Sequence, residues 1–189
     1  MANITTTNIV VGEATVEIGE AGTSFSGLTD VGATIDGVEL SWEPDMVDIE
    51  VDQFGDAAKV IQSMVKVMLK TTLAEATLRN LARAWGYDDT ADGDDIKIAQ
   101  DGADTNTFMF GIENVYPHEK AIVTVGNAPG TTAAATKTRT FTAKRAISYA
   151  ASSHSMKRAE ATVFPVEFRI LPTVADTNYE YGKIIDSTA

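Results

Sequence analysis

The sequence reads as a mainly β domain, a sandwich or barrel-like sheet with one flanking helix, and three observations carry that reading. Apolar and polar residues alternate with period two along most of the chain, most clearly in "GVELSWEPDMVDIEVDQFG" at residues 37–55. Only one stretch, "TLAEATLRNLARAWG", keeps a helical period. Glycine-rich and acidic segments separate the short β runs, and no internal repeat or clean boundary appears, so residues 1–189 form one domain.

Composition bounds the rest. A chain of 189 residues with 44% hydrophobic and 22% charged residues builds one substantial core. No run approaches the roughly 18 apolar residues of a membrane span, and "MANITTTNIVVGE" lacks the basic region and apolar core of a secretory signal. Without cysteine there are no disulfides, zinc–thiolate sites or cysteine nucleophiles. A net charge of −12 argues against a protein that grips nucleic acid by its phosphates, which requires clustered Lys and Arg.

Along the chain, polar residues 1–7 suggest an arm. A strand follows at 9–18, then a long glycine-rich loop at 19–36 of a length usually reserved for function. In residues 37–55, Val38, Leu40 and Trp42 alternate with Glu39, Ser41 and Glu43, and Val47, Ile49 and Val51 with Asp48, Glu50 and Asp52. Pro44 and Asp45 suit a two-residue turn, which makes the stretch a hairpin. That register sets Glu39 opposite Glu50 and Ser41 opposite Asp48, a destabilising like-charge arrangement that suggests the acidic face has a use. Residues 59–70 read as a strand with Ile61, Ser63, Val65, Val67 and Leu69 on one side and Gln62, Met64, Lys66, Met68 and Lys70 on the other.

The helix is expected over about 72–86, with Thr72 and Glu75 as a capping box and Gly86 as its stop. Further strands are expected at 95–99, 107–112, 121–125, 138–150 and 158–171, and a second arm at about 172–189. Trp42 and Trp85 are expected in the core.

Chemistry-bearing motifs are sparse. Asp88, Thr90, Asp92 and Gly93 partly match a calcium loop, but position 12 is Ala99 where a bidentate Glu is required, so an acidic solvated turn is the reading. His118 and His154 do not share metal-ligand spacing, no GxSxG surrounds the serines beside His154, and neither phosphate-loop pattern is present. No cofactor or metal is expected, and no catalytic constellation. Lys144, Arg145, Lys157 and Arg158 supply four of the fifteen basic residues and read either as ordinary surface charges or as a positive patch that meets an acidic patch on another copy. Met64 and Met68 suggest either a contact stripe or a face covered by the helix.

The order of these features resembles the major tail tube protein of tailed bacteriophages. Three blocks carry the resemblance: the glycine-rich loop running into "GVELSWEPDMVDIEVDQFG", the passage "VIQSMVKVMLKTTLAEATLRNLARAWG", and the terminal "RTFTAKRAISYAASSHSMKRAEATVFPVEFRILPT". Together they cover roughly residues 20–172. The resemblance implies a β-sandwich or barrel-like subunit that forms hexameric rings stacked into a hollow tube in the virion tail, assembled in the cytoplasm of the bacterial host. Its implied partners are other copies of itself, other tail proteins at the tube ends, and genomic DNA that passes through without specific binding. Glu39, Ser41, Glu43, Asp48, Glu50 and Asp52, with Gln62 and Lys66, are then the candidates for the lumen. Phe25, Leu28, Phe54, Met64, Met68, Lys144, Arg145, Lys157 and Arg158 are the candidates for contacts between subunits. A contractile injection or secretion tube would share the fold, and an adhesion or binding β-sandwich on a particle surface is the alternative of another class.

Overall fold

The computed structural model describes residues 8, 10, 12–22, 24–52, 56–87, 89, 98–100, 106–108, 110, 117–132, 135–149, 152–156, 158–173 and 181–187. The chain is mainly β with one short helix. Its elements are β1 (Ala14–Glu20), β2 (Thr29–Asp30), β3 (Thr34–Glu50), β4 (Ala57–Leu73), α1 (Leu78–Ala84), β5 (Ile98–Gln100), β6 (Asn106–Phe108), β7 (Lys120–Asn127), β8 (Thr138–Ser148), β9 (Phe164–Ile170) and β10 (Lys183–Asp186). Eight strands make one antiparallel sheet in the order β2-β1-β7-β8-β9-β4-β3, with β10 added beside β8; β5 and β6 pair separately. β1 also lies against β3, near the opposite end of that order, so the sheet curls upon itself.

The core follows from strand alternation. On β9, Phe164, Val166, Phe168 and Ile170 are buried while the residues between them are more exposed. They meet Val65, Val67, Leu69 and Leu73 of β4, Val16 and Ile18 of β1, and Ile122, Phe141, Ala143 and Ala146 of β7 and β8. Each such large side chain contributes about 1.5–3 kcal/mol on burial.

The helix is shorter than its apolar stripe suggests. Leu73 and Thr72 belong to β4, where Thr72 stands opposite Ile35 and Pro165. Glu75 makes no capping box; its carboxylate accepts from the Ala33 backbone N–H at 3.3 Å. Thr77 caps instead, its hydroxyl accepting from the Asn80 N–H at 3.1 Å. The stop at Gly86 is as expected: φ is 77°, and Gly86 N–H to Arg83 and Tyr87 N–H to Ala82 close the end. Thr77→Ala is expected to cost about 1 kcal/mol, read as a shift in the chemical denaturation midpoint.

A buried ion cluster ties α1 to the sheet. Arg83 and Lys120 are 2% and 3% exposed, and both meet Asp89. Arg83 also donates to the Thr29 hydroxyl and to the Ile18 carbonyl, the latter at 3.3 Å. Burial alone would raise the Asp89 carboxyl; hydrogen bonding from Lys120 and the charges of Arg83 and Lys120 outweigh it and hold the group below its ordinary value.

Four further expectations fail. The stretch at 37–55 does not turn at Pro44; β3 runs through it as one 17-residue strand, with Pro44 opposite Val65 and Asp45 opposite Met64. Proline is tolerated because β3 lies at the end of the sheet, where a missing N–H breaks no inner ladder. The loop at 19–36 contains β2, the buried Val31 and the start of β3, and the tail at 172–189 contains β10. Trp42 is not core: it is 58% exposed and meets the Tyr181 ring edge-on at 6.2 Å.

Candidate assembly surface

β4 pairs with β9 only from Val67 to Leu73, whereas its pairing with β3 continues out to Ala57. Beyond Lys66 the two strands therefore form a two-stranded arm, and among the described residues no further strand pairs with either edge. An isolated ribbon of this kind is marginal in water, and open edges are templates for another chain.

The ladder pairs Asp45 with Met64 but Met46 with Gln62, which leaves Ser63 as the extra residue of a bulge. Its hydroxyl donates to the Asp45 carbonyl at 3.2 Å. Strand alternation then explains the change of phase in the sequence. Glu39, Ser41 and Glu43 share the outer face of β3, and that same face continues as Asp45, Val47 and Ile49. The opposite face starts with Leu40 and Trp42 and continues as Met46, Asp48 and Glu50. Acidic and apolar stripes exchange faces where a turn was expected.

The register also removes the clash of acids. Glu39 stands opposite Lys70 and Glu43 opposite Lys66. Lys70 in turn approaches Glu167 at 3.4 Å, and the Lys66 ammonium lies 5.0 Å from the centre of the Tyr149 ring, with Arg169 at 5.6 Å. The inner part of this face is charge-balanced. Farther out, Asp48 and Glu50 stand opposite Val60 and Ala57. Between residues 43 and 61 the sequence carries Glu43, Asp45, Asp48, Glu50, Asp52 and Asp56 against the single cation Lys59.

The predicted lumen set is thus divided. Glu39, Ser41, Glu43 and Lys66 are together on the outer face, Asp48, Glu50 and Gln62 share the other, and Asp52 lies just past the end of β3. Among the predicted contact residues, Met64 is 56% exposed and Arg158 is exposed, while Phe25 and Leu28 are half-buried. Met68 is fully buried, because it lies between Ser41 and Arg169 in the ladder rather than on the arm. Lys144 is buried, and Arg145 forks onto Glu119 at 2.7 and 2.6 Å and donates to the Pro172 carbonyl at 2.9 Å. These two residues serve the fold rather than a basic patch. Phe54 and Lys157 lie outside the described residues, as does the acidic turn at 88–95 apart from Asp89, which is held by Arg83 and Lys120.

What sequence reasoning missed is the apolar surface of the arm. Of sixteen large apolar residues exposed among the described residues, seven lie on the arm or the adjoining Val51 and three more on the inner part of β3, so the arm carries the largest share of the exposed apolar surface. Met46, Val47, Ile49, Val60, Ile61 and Met64 are 40–56% exposed. The available signal was the simultaneous loss of phase at residues 44–46 and at Ser63. Among the described residues no group of three His, Asp or Glu is placed to hold a metal ion, and no helix is long and apolar enough to cross a membrane.

Comparison of the sequence with protein-family models and with curated proteins gives no match.

Proposed function

We propose that the protein is a non-enzymatic structural subunit of a bacteriophage tail tube, which joins copies of itself into stacked rings around a channel for DNA. The observation that carries this reading is the β3–β4 arm, with apolar side chains exposed and, among the described residues, no strand on either edge. A monomer gains nothing from such a ribbon, whereas a neighbouring copy can pair with its edges and bury its apolar stripe. The curled, mainly β sheet and single helix accord with what the sequence resemblance implies. In this reading the ring number is six, as in the resembled family, the assembled protein resides in the virion tail after assembly in the host cytoplasm, and other tail proteins cap the tube.

The charge distribution refines the role of the acids. Each lysine contact to a DNA phosphate would add affinity and slow passage. Glu39 and Glu43 are matched by lysines, so Asp48, Glu50 and Asp52 are the stronger candidates for repelling DNA from the channel wall. Negative-stain electron microscopy of the purified chain tests the proposal. Rings or tubes with a central hole are expected; a monomer at every concentration reached would overturn it.

A further inference from the structure

Among the described residues the sheet curls but does not close. β2 covers β1 only at Glu17 and Ile18, and the Val31 N–H to Val16 carbonyl bond extends this by one residue. Below that point, residues 12–15 pair with β7 on one side at most, and residues 34–38 pair with β4 on one side. Among the described residues their other edges carry no backbone partner. Both edges line one groove of about 650 Å³, bounded by residues 12–15 and by 32–34 and 36–38. Gly37 leaves its part of the groove open, with no heavy atom within 4 Å of where a Cβ would stand.

We propose that this groove is a β-augmentation site, and that its occupant is the segment at residues 4–11 of a second copy. Two unpaired strand edges recognise an extended backbone, and every ladder bond they form satisfies a group otherwise left to water. The occupant follows from charge and propensity. Glu13 and Asp36 both line the groove, which disfavours the arm with its six carboxylates. Residues 4–11, "ITTTNIVV", carry no charge, and seven of the eight are β-branched, the composition that suits a pleated strand. A second copy is favoured over the same one because residues 12 and 13 lead directly into β1. Entry into its own groove would require a reversal within residues 10–12, and the φ of Gly12, 156°, is far more open than the values of tight turns.

This inference rests on the self-assembly part of the reading above and is independent of the tube. The chain has no cysteine, so introduced thiols report without background. Single variants Thr5→Cys, Thr6→Cys and Thr7→Cys are each mixed with Thr34→Cys under mild oxidation, with the exposed Ser155→Cys as the reference partner. At least one of the three is expected to form a disulfide-linked dimer with Thr34→Cys roughly ten-fold faster than with Ser155→Cys, the effect of raised effective concentration. No preference over Ser155→Cys overturns the proposal. So does a double variant Thr6→Cys/Thr34→Cys that closes within one chain instead of joining two. Cross-linking without rings in the electron microscope sinks the tube and leaves the groove assignment standing; rings without cross-linking do the reverse.

Discussion

Replacing Asp89 with alanine is expected to cost about 3–5 kcal/mol and to lower Tm by roughly 10 °C, because it leaves buried cations without their carboxylate. Arg83 and Lys120 are almost wholly enclosed, and both reach Asp89 from different elements, α1 and β7. Water cannot replace the lost partner without opening the packing between them. Asp89→Asn keeps the shape and some hydrogen bonds, so it should cost less. The same cluster sets an acid limit. The Asp89 carboxyl is held below its ordinary value in the folded chain, so its stabilisation is complete above the unfolded aspartate range near about 4 and is lost as pH falls through the folded value. Glu119, held down by the hydrogen bond from Arg145, acts in the same direction, with a smaller effect because the pair is about a third exposed. Urea midpoints measured between about pH 7 and pH 3 should decline at the acid end, and Asp89→Ala should flatten that decline. A variant within about 1 kcal/mol of the parent would show that the cluster does not hold α1 to the sheet.

The parts legible in the sequence were those whose pattern had one physical solution. In β9, four apolar residues at period two leave only a half-buried strand, and the glycine after Trp85 leaves only a helix stop. The stretch through Pro44 had two solutions. A shift of one residue in the apolar phase is produced equally by a two-residue turn and by one long strand whose buried face changes, and alternation alone does not distinguish them. Partner choice decides it, and partner choice is non-local: β3 pairs with β4 along its whole length, so the acids of β3 meet the lysines of β4 rather than one another. The same limit hid β10, whose Ile184 and Ile185 are too few to show a period, and the role of Asp89, whose partners lie 6 and 31 residues away. Thr72 and Glu75 had the spacing of a capping box, but Leu73 gains more in the core than a helical turn returns, so the strand continues and the cap moves to Thr77.

The double substitution Val47→Ser and Ile61→Ser is expected to raise the concentration required for self-assembly by about 10-fold or more while lowering the unfolding free energy by no more than about 2 kcal/mol. The two residues stand opposite each other in the ladder and are 44% and 40% exposed, so the monomer loses only part of what their full burial contributes. The rest of their value appears only when a neighbour covers them. Covering the two fifths of these side chains that the monomer leaves exposed contributes about 1–2.5 kcal/mol, which corresponds to a factor of about 10 to 10² in an association constant. Sedimentation across a concentration series reads the shift, and an unchanged assembly threshold would show that the arm is not the contact. Salt supplies an independent sign. Arms that carry six carboxylates against one lysine between residues 43 and 61 repel one another, and raising ionic strength from about 0.01 to 1 M shortens the screening length from about 30 to 3 Å. Assembly through the apolar stripe should therefore strengthen with salt. Assembly held by ion pairs would weaken, so the direction of the salt effect tells which force joins the copies.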